Sequence, residues 1–322
     1  MDGDGGAAVF FFCGPRGAPV MRACRCLFIL LLFLYGGLVT VQAFTGTYGI
    51  NYGRVADNIP PPEAVVAYLK EAKIKNARIY DADHSVLEAF KGSGLELVVG
   101  IPNEYLKNMS TNEDQAVNWI KENVQAYLPD THIRGIAVGN EVLGGSDQEL
   151  VEALSGAIRN VYNALSKLQL TDVIEVLTPH SQAVFDNSYP PSSCTFKENV
   201  LQYMKPILDL FSKIDAAYAA LEAAGYEEME VRVSETGWAS KGDEDETGAT
   251  AQNARTYNYN LLKRLAKKKG TPRRPKMVVK AYVFALFNED LKPGSGSERH
   301  YGLLKSDGSI AYDIGFSGLT PS

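Results

Sequence analysis

The segment Ile133 to Gly144, "IRGIAVGNEVLG", decides how the chain reads. A short apolar run, Ile136-Ala137-Val138, predicts a buried strand, and it stops abruptly at Gly139-Asn140-Glu141. Apolar residues resume at Val142-Leu143, so a carboxylate placed here loses hydration unless something uses it. An apolar run without alternation belongs to a sheet buried on both faces, the kind built from parallel strands under helices.

The same pattern recurs outward from this segment. "TYGINYG" (Thr47–Gly53), "NARIYDA", "LELVVGIP", "VIEVLTPHS", "EVRVSETGW" and "MVVKAYVFALFN" all read as strands. Helical spacing follows nearly every one: after Pro60-Pro61-Pro62, where Val65, Val66 and Leu69 share a face, then over Ser85–Lys91, Asn112–Leu128, Gln148–Leu168, Asn199–Ile214 and Ala249–Lys269. The order predicts an α/β protein, either a closed barrel or a doubly wound sheet. Gly49 and Gly53 lack the dinucleotide spacing and no phosphate-loop lysine is present, which disfavours a nucleotide-binding sheet.

Polar residues cluster where these strands end: Asn51-Tyr52, Tyr80-Asp81, Asn103-Glu104, Asn140-Glu141, His180-Ser181, Glu235 and Asn288-Glu289. A barrel gathers such residues on one rim. The rhythm breaks once. From Asn199 to Gly225 helix meets helix at Lys213-Ile214-Asp215 with no strand between, so seven strands are counted where an eightfold barrel needs eight.

The 322 residues are 45% hydrophobic and 22% charged, ordinary globular values. A net charge of −6 argues against nucleic acid and leaves a neutral polymer or small molecule as the expected partner. The segment from Met21 has basic residues, an apolar core from Leu27 to Tyr35 and small residues before Ala43, which reads as a secretory signal. Residues 1–20 are then an extension without an evident role, residues 21–43 the signal and residues 44–322 one domain, with Met21 favoured as the start. Cleavage after Ala43 leaves Cys194 as the sole cysteine, read as an idle thiol without a disulfide partner. Asn108-Met109-Ser110 is a glycosylation acceptor expected on a surface loop.

Glu141 and Glu235 carry the chemistry of interest. Glycoside hydrolysis needs one protonated carboxyl group to give the leaving oxygen a proton and one ionised group to attack the anomeric carbon or activate water. Asn140 can hold a sugar hydroxyl, while Ser234, Thr236 and Trp238 flank Glu235. His180 reads as a hydrogen-bonded structural group. No metal or cofactor is expected, since the four His are not paired at ligand spacing, and no G-x-S-x-G turn supports serine chemistry.

The motifs "GTYGINYGRVADNIPPP", "ARIYDAD", "VVGIPNE", "IAVGNEVL", "YPPS", "VRVSETGWAS", "NARTYNYNL", "GTPRRP", "FALFNEDLKPG" and "SERHYGLL" closely resemble the plant glucan endo-1,3-beta-glucosidases of glycoside hydrolase family 17, from about Thr45 to Ser317. The resemblance implies a (β/α)8 TIM-type barrel, here lacking one βα unit, with a retaining mechanism and an open cleft for β-1,3-glucan. It implies Glu141 as acid/base and Glu235 as nucleophile, with Tyr52, Asn103, Asn140, Trp238, Phe287, Glu289 and Lys292 as substrate-binding or supporting residues. It further implies a secreted monomer of the cell wall or apoplast with no cofactor.

Two departures stand out. Between "LDLFSKI" and "DAAYAALEAAGY" the family has a further strand and an aromatic subdomain that are absent, which leaves open edges between the fifth and seventh strands unless another segment fills in. Lys280-Ala281 replaces a Glu-Thr found in many members and resembles a lipid-anchored subgroup, whose apolar tail is not matched by the final "FSGLTPS". The alternative readings are therefore a catalytically impaired glucan-binding relative and an unstable truncated isoform.

Overall fold

The computed structural model describes residues 7–13 as backbone and residues 48–186, 195–203, 232–270, 274 and 276–314. Seven strands run parallel: β2 (Tyr48–Asn51), β3 (Asn76–Arg78), β4 (Glu96–Ile101), β5 (His132–Val138), β6 (Glu175–Ser181), β7 (Arg232–Thr236) and β8 (Lys280–Val283). They pair in the order β6-β5-β4-β3-β2-β8-β7. The seven parallel strands match the count read from the sequence.

An eighth strand closes the sheet, and it comes from an unexpected place. β1 (Ala7–Cys13) lies antiparallel between β6 and β7, where the sequence left a gap. Ala8 stands opposite Ser181 on one side and Glu235 on the other, and Cys13 stands opposite Val176. β1 therefore enters at the rim and runs toward the opposite mouth. Its sequence, "AAVFFFC", is rich in β-branched and aromatic residues and suits a central strand. The 1–20 extension, which had no role in the sequence reading, supplies the closing strand. Signal cleavage after Ala43 would remove it. The signal segment itself and Cys194 lie outside the described residues.

The helices form where their caps and apolar stripes dictate. α1 (Pro62–Glu71) opens on prolines and buries Val65, Val66 and Leu69. In α2 (His84–Phe90) the Asp83 carboxylate accepts from the Ser85 and Val86 amides. A short α3 (Leu106–Thr111), not foreseen, presents Asn108 to solvent on a helix rather than a loop. α4 (Glu113–Asn123), capped by Asn112, ends earlier than the predicted Leu128, giving way to one 3-10 turn at Gln125–Tyr127 before Pro129. α5 (Gln148–Lys167) is capped by Asp147 and buries a continuous stripe from Val151 to Leu165. α6 (Ala251–Ala266) is capped by Thr250. Of the predicted helix Asn199–Ile214, residues up to 203 are helical and the rest lie outside the described residues.

β4 is buried at every position, as a strand covered on both faces must be. At the mouth where the strands begin, Arg232 makes a two-pronged ion pair with Glu175, at 2.8 and 3.2 Å, and Arg134 reaches Glu96 at 3.4 Å. These pairs satisfy charges that would otherwise be buried alone at the face that serves stability. His180 is fully buried, and burial pushes its pKa down to about 3, so it is neutral.

If β1 closes the barrel, the β6 and β7 amides that pair with it exchange slowly in the full chain and much faster in a chain starting at residue 44. Hydrogen exchange on the two chains checks this. Equal protection would remove β1 from the sheet.

Candidate active site

The unusual ending of β5 has a backbone cause. Gly139 has φ 70° and Glu141 φ 49°, so the chain turns through two left-handed residues and lifts Glu141 out of the strand line. A side chain at Gly139 would place its Cβ 2.9 Å from the Leu106 side chain, which reserves the position for glycine. For Glu141 the conformation costs on the order of 1–2 kcal/mol, and fixed contacts hold it there. The Glu141 amide donates to the Pro179 carbonyl at 3.1 Å. Asn103 locks the preceding residue twice: its amide donates to the Asn140 carbonyl at 3.1 Å, and its side-chain oxygen accepts from the Asn140 amide at 2.8 Å.

Arg78, the last residue of β3, lies beneath the rim and is 1% exposed. Its guanidinium donates to Glu235 Oε1 at 2.6 Å and to Asn140 Oδ1 at 2.5 Å. It also reaches Asn51 Oδ1 at 3.4 Å, and its charge lies over the Tyr80 ring with 4.4 Å to the centroid. Asn51 in turn donates to the carbonyls of Ser234 and Val283. The cation thus ties β3 to the ends of β2, β5 and β7. With Asn140 Oδ1 occupied by Arg78, its side-chain N–H groups are the part left for a ligand hydroxyl.

Glu235 projects from β7 next to that cation and is largely buried. Thr236 is fixed by a short hydrogen bond with the Tyr257 hydroxyl. Gly237 is forced by the close approach of the Phe284 carbonyl, which a Cβ would meet at 1.9 Å. The Tyr80 phenol is raised well above its ordinary value, first by burial and then by the Glu235 charge, so it remains protonated.

A cleft of about 550 Å³ over this rim is lined by Tyr52, Arg54, Val55, Tyr80, Asp81, Asn140, Glu141, Glu235, Phe284, Glu289 and Lys292. Glu141 remains open to solvent, yet the surrounding protein pushes its pKa up, and the Glu235 charge adds to the rise, while Arg78 and Lys292 oppose it. Glu289 is raised chiefly by burial, although it accepts from the Val55 amide and lies 4.0 Å from Lys292. Lys292 also pairs with Glu298 at 2.9 Å and lies 4.5 Å from the centre of the Phe284 ring.

Of the residues singled out in the sequence, Tyr52, Asn140, Glu141, Glu235, Glu289 and Lys292 meet in this cleft. Asn103 lies behind it as the lock on Asn140. Phe287 is not a cleft residue: it is 1% exposed and packs edge-on against Tyr52 at 6.0 Å, so it supports that ring from within the core. Trp238 stands over a neighbouring cavity of about 530 Å³ along α6, its indole N–H held by the Gly248 carbonyl and its ring 5.9 Å from Tyr257. Arg78 is the functional residue the sequence reading passed over. Its signal was a lone cation inside the apolar strand "NARIYDA". Among the described residues no group of His, Cys, Asp and Glu is placed to hold a metal ion.

Two glutamates share this barrel rim: Glu235 pairs with a buried cation, and Glu141 has its pKa raised by the surrounding protein and by the Glu235 charge. Two carboxyl groups on one barrel rim are what glycoside hydrolysis requires. The family model described as glycosyl hydrolases family 17 matches residues 48–215 and 209–316, and the chain belongs to that family. The two matches overlap at residues 209–215. Glucan endo-1,3-beta-glucosidase 14 of Arabidopsis thaliana is 38% identical, with 85% of this chain and 83% of that protein covered. That alignment runs over 324 positions, more than the share of the chain it covers, so a block of the relative has no counterpart here. Glucan endo-1,3-beta-glucosidase 10 of the same plant is 41% identical over 90% of this chain and 79% of its own length. The solved structure of CJP38, a beta-1,3-glucanase and allergen of Cryptomeria japonica pollen, superposes with a TM-score of 0.80 at 32% identity. It covers 84% of this chain and 99% of that one.

The raised glutamates give a titration prediction. Lys292→Met removes a cation that lowers both Glu141 and Glu289, so both midpoints move to higher pH in carboxyl-labelled NMR titrations. Unchanged midpoints would contradict the assigned electrostatics. Both groups bind protons more tightly folded than unfolded, so their burial lowers stability as pH rises from the unfolded carboxylate pKa through the folded one, and not below it.

Proposed function

We propose that the chain is a secreted, retaining endo-hydrolase of β-1,3-glucan. The observation that carries the reading is the division of labour in the cleft. Glu235 faces Arg78 at 2.6 Å, as an ionised nucleophile requires, and Glu141 has its pKa raised, as a proton donor requires. The substrate follows from the names of the relatives, which act on 1,3-linked β-glucan.

In the first step the Glu235 carboxylate attacks the anomeric carbon while Glu141 gives its proton to the glycosidic oxygen. The C–O bond breaks and the leaving part departs as an alcohol. In the second step Glu141 takes a proton from water, the water oxygen attacks the same carbon, and Glu235 is released as carboxylate. Asn140 presents its amide N–H to the hydroxyl next to the anomeric carbon, where a bond that tightens in the transition state helps most. Arg78 holds Glu235 and Asn140 in one fixed relation, the kind of preorganisation that costs nothing at the moment of reaction. The apolar segment after Met21 supports entry into the secretory route to the wall or apoplast, and exposed Asn108 is accessible for glycosylation. Among the described residues no helix is long and apolar enough to cross a membrane.

One observation favours a second reading, a glucan-binding relative with poor turnover. Secretion with cleavage after Ala43 would take β1 away and leave β7, the strand bearing Glu235, as an open edge. Reducing-sugar release from laminarin by chains starting at residues 1 and 44 separates the two. Glu235→Gln should abolish hydrolysis while glucan binding persists. Glu141→Ala should slow laminarin by about 10²-fold or more, and slow an aryl glycoside with an activated leaving group far less. Equal losses on both substrates would overturn Glu141 as the acid, and a folded but inactive parent would favour the binding reading.

A further inference from the structure

On the β2–β3 side of the cleft lies a charged cluster that the two-carboxylate chemistry does not use. Arg54, just past β2, donates through Nη2 to Asp81 at 2.7 Å and to Asp83 at 3.3 Å. Its guanidinium carbon lies 5.6 Å from the centre of the Tyr52 ring. Asp83 has a structural task already, since it caps α2. Asp81 caps no helix. Its Oδ1 accepts from the Asp83 amide at 3.2 Å, and its side chain is 46% exposed on the cleft wall.

The cluster makes little sense as a stability device. A half-exposed ion pair contributes little to folding. Arg54 Nη1 is moreover buried without a hydrogen-bond partner, an arrangement that costs free energy. What the pairing does achieve is to fix the direction of one open carboxylate on the cleft wall. A carboxylate accepts hydrogen bonds from neighbouring hydroxyls, the groups that a sugar ring carries. Phosphorylated or acidic ligands would be repelled by the surrounding Asp81, Asp83, Glu235 and Glu289.

Resting on the glucan reading above, we propose that Asp81 is a substrate-binding residue that accepts hydroxyl hydrogen bonds from a glucose ring beyond the one at Glu235, and that Arg54 is its positioning residue. Glu141 protonates the oxygen that leaves, so the leaving part of the chain lies on the β5 side. The ring held by Asp81 belongs to the part retained on Glu235. The two residues then set how long a stretch of glucan the cleft grips, without taking part in bond breaking.

Isothermal titration of laminarihexaose into the Glu235→Gln protein tests this, with further substitutions made in that background. Asp81→Ala should weaken binding about 10- to 100-fold, the effect of losing hydrogen bonds to a charged acceptor. Arg54→Met should weaken it to a similar or smaller degree, with Arg54→Lys recovering part of the loss. Asp83→Ala should lower the melting temperature through the lost α2 cap while leaving affinity within about twofold, because the pairing of Arg54 with Asp81 survives. Undiminished binding by a folded Asp81→Ala protein would overturn the proposal, as would an equal loss from Asp83→Ala. If the parent fails to bind laminarihexaose, the glucan reading falls and this proposal with it. A parent that binds while Asp81→Ala binds equally well leaves the glucan reading standing and removes only the role of Asp81.

Discussion

A single buried guanidinium sets the terms for the rim. Taking Arg78 out of water costs several kcal/mol, and the cost is met only if strong acceptors converge on it from fixed positions. Glu235, Asn140 and Asn51 do so, from three different strands. The demand runs both ways. Glu235 gains a direct ion pair in a largely enclosed place, and Asn140 gains a fixed partner for its side-chain oxygen. Losing any one leaves a buried charge or polar group without compensation.

That arrangement depends in turn on the strands staying in register, which is where the unusual construction of this barrel matters. A parallel sheet with a missing strand exposes two unpaired edges, one of them β7 with Glu235 on it. β1 covers both edges by running the opposite way, which antiparallel pairing permits without a crossover helix. The backbone bonds are restored on both sides of β1.

Much of this could be read from the sequence because apolar strands that stop in polar residues carry an unambiguous signal. "AVGNEV" ended where it did because Gly139 and Glu141 take left-handed conformations, and the meeting of Asn140, Glu141, Glu235 and Glu289 followed from their places at strand ends, whereas Lys292 was indicated by the family resemblance alone. Three features were hidden for stated reasons. Arg78 sat inside a strand whose other residues set the pattern, and a lone cation there reads as noise until its partners from distant strands are known. Phe284 and Phe287 are three residues apart in one apolar run, and sequence alone does not say which reaches the cleft. The first lines it and the second supports Tyr52 from behind. β1 precedes an apolar run that reads as a targeting segment, so its own β-rich composition carried no weight.

The most direct test of the central claim, that Arg78 presents Glu235 as the attacking group, is covalent trapping with a 2-deoxy-2-fluoro laminaribiosyl fluoride followed by peptide mass spectrometry. The account predicts one glycosyl adduct per chain, on Glu235, forming far more slowly in Arg78→Met than in the parent. An adduct on another residue, or an equally fast reaction without Arg78, would contradict it.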